Sequence, residues 1–176
     1  SMTEPSGLVT AYVYDKRGLP IQIEDAKGGT KRLRWDDRAL LRSYTDCSNR
    51  TTMYTYDGWG NLQSQRDAAG NEMREVHDAT GLLRSLSQAD GAHWAYDYDT
   101  AGRLVTVNDP LSRTTQFHYN RRSQLLNRVD AENRQVVLAY DTALRVARLV
   151  NENGESFAFE YDDADRLVQE HRVGGQ

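Results

Sequence analysis

Cysteine is nearly missing from this chain: Cys47 is the single thiol, so no disulfide can form within it. Long apolar runs are missing too. No stretch approaches the roughly 20 residues that a spanning helix needs, and no signal-peptide pattern is visible. A basic surplus is absent, with net charge −4 and a pI near 5.6, which excludes the positive field that nucleic acid or an anionic membrane would require. No segment of twelve or more residues carries an apolar stripe at helical spacing without turn signals inside it. Apolar content is low as well, at 38% with a mean hydropathy of −0.78. That is thin for a two-layer domain and suits a single sheet wetted on one side. Lysine is scarce, with Lys16, Lys27 and Lys31 against nineteen arginines. Arginine forks to carboxylates and stacks on aromatic faces; a codon bias that fills solvated positions is the competing account.

What is present is a period. Every twenty-one residues an aromatic-type ring precedes an acid or its amide: Tyr14-Asp15, Trp35-Asp36, Tyr56-Asp57, His77-Asp78, Tyr98-Asp99, Tyr119-Asn120, Tyr140-Asp141 and Tyr161-Asp162. Six residues after each ring stands an aliphatic or proline, namely Pro20, Leu41, Leu62, Leu83, Leu104, Leu125, Val146 and Leu167. A fixed internal period marks a repeat architecture. Together with ten tyrosines it argues against disorder, which is poor in aromatics.

Each period divides into two strands and two turns. After Tyr98, Asp99-Thr100-Ala101-Gly102 fits a type I turn closing into a bulge, with Asp bonding local backbone and Gly102 supplying the left-handed conformation. A strand over 103–108, a second turn at Asp109-Pro110-Leu111-Ser112 and a returning strand over 113–119 complete the unit. Gly18, Gly60 and Gly81 fit the first turn in the same way; Ala39, Ser123, Leu144 and Asp165 do not, so those turns are expected to be strained or of another type. The returning strands alternate: Trp94, Tyr96 and Tyr98 share one face, as do Val136, Leu138 and Tyr140, or Phe157, Phe159 and Tyr161. Short turns on both sides make sequential strands neighbours. The expected fold is all-β: a curved antiparallel meander of eight repeats, two strands each, in an open single-layer spiral sheet.

Candidate chemistry is sparse. His77 occupies a ring slot two residues from Glu75, but no third ligand stands at useful spacing, and a half-buried replacement of tyrosine is the plainer account. His93, His118 and His171 fall on or near the polar face. Cys47 lies in a turn without a neighbouring base. The recurring aspartates suggest turn formation before calcium binding. Arg32, Arg34, Arg38 and Arg42 alternate with Asp36 and Asp37 and so neutralise themselves. No nucleophile, base and orienter converge, so no catalytic residue, metal site or cofactor is expected. The aromatic face through Trp94, Tyr96, Tyr98, Phe117 and Tyr119 offers rings that could stack on sugars, against the sheet's own need for them in packing.

Motifs such as Tyr56-Asp57-Gly58-Trp59-Gly60-Asn61-Leu62 and Tyr98-Asp99-Thr100-Ala101-Gly102-Arg103-Leu104 resemble the tyrosine-aspartate (YD) repeat of the rearrangement-hot-spot (Rhs) family. The resemblance runs over 12–171, leaving 1–11 as a tag scar and partial repeat and 172–176 as a tail. It implies a large hollow shell, secreted or on the cell surface. In bacterial relatives the shell encloses a C-terminal toxin, and in animal teneurins it serves adhesion. The family's N-terminal domain, its toxin and its self-cleaving core segment have no counterpart here, and Asp109-Pro110 sits in a routine turn. The resemblance therefore implies a non-enzymatic piece of wall whose partners are the rest of a longer chain and its toxin. A carbohydrate- or receptor-binding module is the alternative. Free edge strands would favour self-association.

Overall fold

The computed structural model describes residues 2–3 and 9–174; of the expected segments, part of 1–11 and the end of 172–176 lie outside the described residues. The chain divides into two compact units, 1–93 and 94–176. In the first, β1 (Met2–Thr3), β2 (Val9–Tyr14), β3 (Pro20–Glu24), β4 (Thr30–Trp35), β5 (Leu41–Thr45), β6 (Thr51–Tyr56), β7 (Leu62–Arg66), β8 (Glu72–His77) and β9 (Leu83–Ser87) follow in order. In the second come β10 (His93–Tyr98), β11 (Leu104–Asn108), β12 (Thr114–Tyr119), β13 (Leu125–Val129), β14 (Gln135–Tyr140), β15 (Val146–Val150), β16 (Ser156–Tyr161) and β17 (Leu167–Val173). Within each unit every strand pairs antiparallel with the next in sequence. Among the described residues there is no helix, so none is long and apolar enough to cross a membrane.

The two recurring sequence positions turn out to face each other. Each ring ends a strand, each aliphatic six residues on begins the next, and the pair meets across the hairpin: Tyr14 opposite Pro20, Trp35 opposite Leu41, Tyr56 opposite Leu62, His77 opposite Leu83. In the second unit Tyr98 meets Leu104, Tyr119 meets Leu125, Tyr140 meets Val146 and Tyr161 meets Leu167. The register shifts by one residue just before every one of these rings, so each repeat carries one β-bulge at a fixed place.

The fifteen turns among the described residues share one pattern. The amide of the first residue donates to the carbonyl four residues on, and the amide of the fourth donates back to the first residue's carbonyl, as in Asp15–Leu19 and Gly18–Asp15. The fourth residue is left-handed in each. Gly102, at φ 76°, behaves as its residue type predicts. The turns at Ala39 (61°), Ser123 (62°), Leu144 (69°) and Asp165 (61°) are not of another type: they adopt the glycine conformation without glycine. Strain is the price of that uniformity, since Cβ crowds the backbone at positive φ.

No hydrophobic side chain among the described residues is fully buried; Ser156, 6% exposed, is the one buried residue. The strands are half-buried with alternating exposure, as on β12, where Phe117 and Tyr119 are shielded while Gln116 and His118 are exposed. Stability must come from many small repeated contacts between neighbours.

Candidate functional site

The repeated rim of ring, turn and arginine is where the side chains of this chain converge. Each turn begins with an acid or amide whose Oδ1 accepts the backbone amides two and four residues later; for Asp15 these are Arg17 and Leu19, both at 2.9 Å. The exceptional turn starts at Gln88, and there Asp90 accepts the amide of Ala92 instead. The other oxygen, Oδ2, takes a side chain. Arg103 binds Asp99, Arg113 binds Asp109, Arg134 binds Asp130, Arg145 binds Asp141 and Arg166 binds Asp162, all at spacing four and 2.6–2.8 Å. Asn61 and Asn71 do the same for Asp57 and Asp67. Arg42 and Arg84 reach Asp36 and Asp78 from spacing six.

These bonds favour the charged carboxylate. The Arg103 guanidinium holds Asp99 below its ordinary range, the amide of Leu40 does so for Asp36, and the Thr80 hydroxyl with three further donors brings Asp78 down to about 2. Oxygens engaged in this way are poorly disposed to ligate calcium, and among the described residues no group of three or more His, Cys, Asp or Glu side chains could hold a metal ion.

The polar tips of the rings are engaged as well. Trp35 Nε1 donates to the carbonyl of Pro20 at 2.7 Å, Tyr56 Oη to Leu41 at 3.0 Å, Tyr140 to Leu125 at 2.9 Å and Tyr161 to Val146 at 2.8 Å. In every case the acceptor lies fifteen residues back and belongs to the aliphatic position of the preceding repeat. Arginine then closes the junction from above: Arg42 lies over Tyr56 at 5.6 Å, Arg103 over Tyr119 at 5.0 Å and Arg145 over Tyr161 at 4.6 Å. Arg103 also donates to the carbonyl of Asn120, and Arg17 to that of Asp36. One arginine thus ties its own turn to the next repeat. Sequence reasoning did not assign this role, although the Asp-x-x-x-Arg spacing was there to be found.

The expected ligand-facing rings do come together. Tyr96 pairs with Val107 and Val107 with Thr115, so Trp94, Tyr96, Tyr98, Phe117 and Tyr119 share one face of the second unit. All five are half-buried, and Tyr119 is covered by Arg103. More open are Trp59, 77% exposed, and the pair Tyr12 and Tyr14, stacked with centroids 6.2 Å apart and 36% and 55% exposed.

His77 keeps its slot, with Nε2 3.6 Å from Glu75 Oε2 and both side chains largely shielded. Its surroundings have changed to match. The positions that elsewhere supply an arginine, four and six residues after the preceding turn acid, hold Asn61 and Gln63. Glu75 stands where other strands have Leu33, Tyr54 or Leu138. Cys47 is a free, exposed thiol in its turn.

Comparison with known proteins agrees with this geometry. The RHS Repeat family model matches residues 35–72, 77–114, 98–135 and 140–176. No curated protein matches the chain. The crystal structure of TcdB2-TccC3 is similar at TM-score 0.64 and 15% identity, covering 92% of this chain and 13% of that one. The crystal structure of TcdB2-TccC3-Cdc42 is similar at 0.59 and 14%, with the same coverage. For the Photorhabdus luminescens Tc holotoxin pore the values are 0.58 and 15%, covering 92% and 12%. The chain therefore spans a small part of the structures it resembles, and at these identities the likeness concerns the fold. With the family model matched over more than half of its length, and with ring, bulge and turn recurring on one period, the chain belongs to the RHS-repeat family.

Proposed function

We propose that this chain is a non-enzymatic wall segment of an Rhs-type shell that encloses or displays an attached toxin or effector domain. The observation that carries the reading is that its polar groups are spent on the framework. Ring tips bond carbonyls of the preceding repeat, and turn carboxylates bond amides and arginines, so the side chains that would make a site instead make a wall. The resemblance to TcdB2-TccC3 supports the shell, and confinement of an attached polypeptide would be its mechanism. Its partners would be the remainder of a longer chain and a C-terminal toxin domain, and its setting would be secreted or cell-surface. The shielding of Trp94, Tyr96, Tyr98, Phe117 and Tyr119 gives a carbohydrate-binding face no comparable support.

The test is limited proteolysis of the full-length parent chain. A segment downstream of the repeats that resists protease until the wall is unfolded supports enclosure. A downstream segment cleaved as fast as when it is free overturns enclosure. On a glycan array, selective binding to one sugar class that is lost in Phe117→Ala would move the function to the aromatic face.

A further inference from the structure

The junction at Tyr140 differs from those on either side of it. Arg103 covers Tyr119 and Arg145 covers Tyr161, but no guanidinium lies over Tyr140 among the described residues. Its hydroxyl bonds the Leu125 carbonyl in the usual way, at 2.9 Å. The places that supply the covering arginine elsewhere lie five residues after the preceding ring, as in Arg103, or seven, as in Arg42; here they hold Gln124 and Leu126. The turn acid is replaced as well. Asn120 begins this turn, its Nδ2 donating to Gln124 Oε1 at 2.7 Å, while Gln124 Nε2 donates to the Leu144 carbonyl at 3.2 Å. An uncharged pair of amides thus stands where Asp99 and Asp141 each hold an arginine.

The exchange leaves two features side by side. Without its cover, Tyr140 lines a depression of about 560 Å³ together with Leu126, Leu138 and Leu144, and Leu126 and Leu144 are exposed. Arg121 and Arg122, from the Asn120 turn, line the same depression. Their guanidinium groups bond nothing among the described residues. The other eight arginines of the second unit each bind a carboxylate or, for Arg148, the Ser156 hydroxyl. Asp141 also lines the depression, but the side chain and amide of Arg145 already hold it, at 2.8 and 2.9 Å. The two free guanidinium groups therefore have no counter-charge in the site.

We propose that the depression over Tyr140 is a docking site for a polypeptide segment in which a carboxylate stands next to a large apolar side chain. The apolar side chain covers Tyr140 and packs against Leu126, Leu138 and Leu144, in the place of the missing guanidinium. The carboxylate forks to Arg121 and Arg122. Charge selects this occupant. Two uncompensated guanidinium groups repel the lysine or arginine that could otherwise lie over the ring, and they attract an acid. β13, β14 and β15 already pair with one another through their backbones, so the segment docks through its side chains and not as an added strand. The inference rests on the side chains of one junction and does not depend on what the wall encloses.

Fluorescence anisotropy with the 176-residue chain and a labelled peptide of alternating glutamate and leucine tests it, at low ionic strength where exposed charges act most strongly. The wild-type chain should bind. The double variant Arg121→Gln, Arg122→Gln should bind about tenfold more weakly, at an unchanged melting temperature because neither guanidinium has a partner to lose. Leu144→Asn removes part of the apolar lining while keeping a residue that tolerates positive φ, and should weaken binding about threefold. Arg166→Gln, outside the depression, should leave binding unchanged. No binding by the wild-type chain overturns the proposal, as does binding that the arginine pair does not affect. Equal affinity for a peptide of alternating glutamate and glycine overturns the apolar half of the site. A sulfated oligosaccharide that binds more tightly than the peptide, and is lost with the same two arginines, overturns it in favour of a glycan.

Discussion

In the first unit six of the eight turns place glycine at the left-handed position, from Gly18 to Gly91; in the second only Gly102 and Gly154 do so among seven. The backbone hydrogen bonds are the same in both. What changes is the next residue. Five of the seven non-glycine turns, those at Asn49, Ser112, Asn133, Leu144 and Asp165, are followed at once by an arginine that binds the turn aspartate. Of the eight strand-joining turns with glycine, only Gly102 has such a neighbour, Arg103. The units therefore reach one geometry by two routes. Glycine lowers the cost of the bend, or else the bend is strained and a charge-assisted clamp offsets the strain.

Acid tests what the two routes share, and its effect should be the largest. The turn carboxylates have folded pKa values below the ordinary 3.8, lowest for Asp78 at about 2. Their contribution is therefore complete above about pH 4 and is lost as pH falls through the folded values toward 2. Urea midpoints followed by Trp35 and Trp59 in one unit and Trp94 in the other should fall together over that window. If only one unit responds, the carboxylate is not the common element.

Exchanging the routes comes next. Gly60→Val places a β-branched residue at φ 99° in a turn that Asn61, not arginine, follows; it should cost about 2 kcal/mol by chemical denaturation. An unchanged midpoint would mean the turn can re-form with another geometry. Tyr140→Phe deletes the bond to the Leu125 carbonyl and should cost about 1 kcal/mol, whereas Tyr14→Phe, on a ring 55% exposed, should cost almost nothing. Equal effects would remove the ring-to-carbonyl bond from the account. The smallest effect is a gain. Leu144→Gly relieves a strained φ of 69° but frees the unfolded chain, for a net stabilisation of about 0.5 kcal/mol. A loss would show that the Leu144 side chain, though half-exposed, packs on its surroundings.

The period, the strand alternation and the turns at Gly18 or Gly102 could be read from residue types because each depends on neighbours in sequence. At Leu144 and Asp165 the same locality left strain and another turn type both open, and the strained form is the one adopted. A local rule sees an unsuitable residue, while the paired strands on either side impose the turn and the following arginine holds it closed. The ring-to-carbonyl bonds had no sequence signature beyond the period itself, since their acceptors are backbone atoms fifteen residues away. The second role of arginine was legible in spacing and went unread because each guanidinium joins two repeats.

That no hydrophobic side chain among the described residues is fully buried carries a thermal consequence. Unfolding a domain with a dry core raises the heat capacity by about 12–15 cal/mol/K per residue, because apolar surface meets water anew. Here much of that surface is wet already and a large share of what is newly exposed is polar, which lowers the heat capacity. The increment per residue should fall below that range, and stability should change little between cold and warm conditions. A wall held by hydrogen bonds and stacked guanidinium groups would then melt gradually from its ends rather than at one sharp temperature.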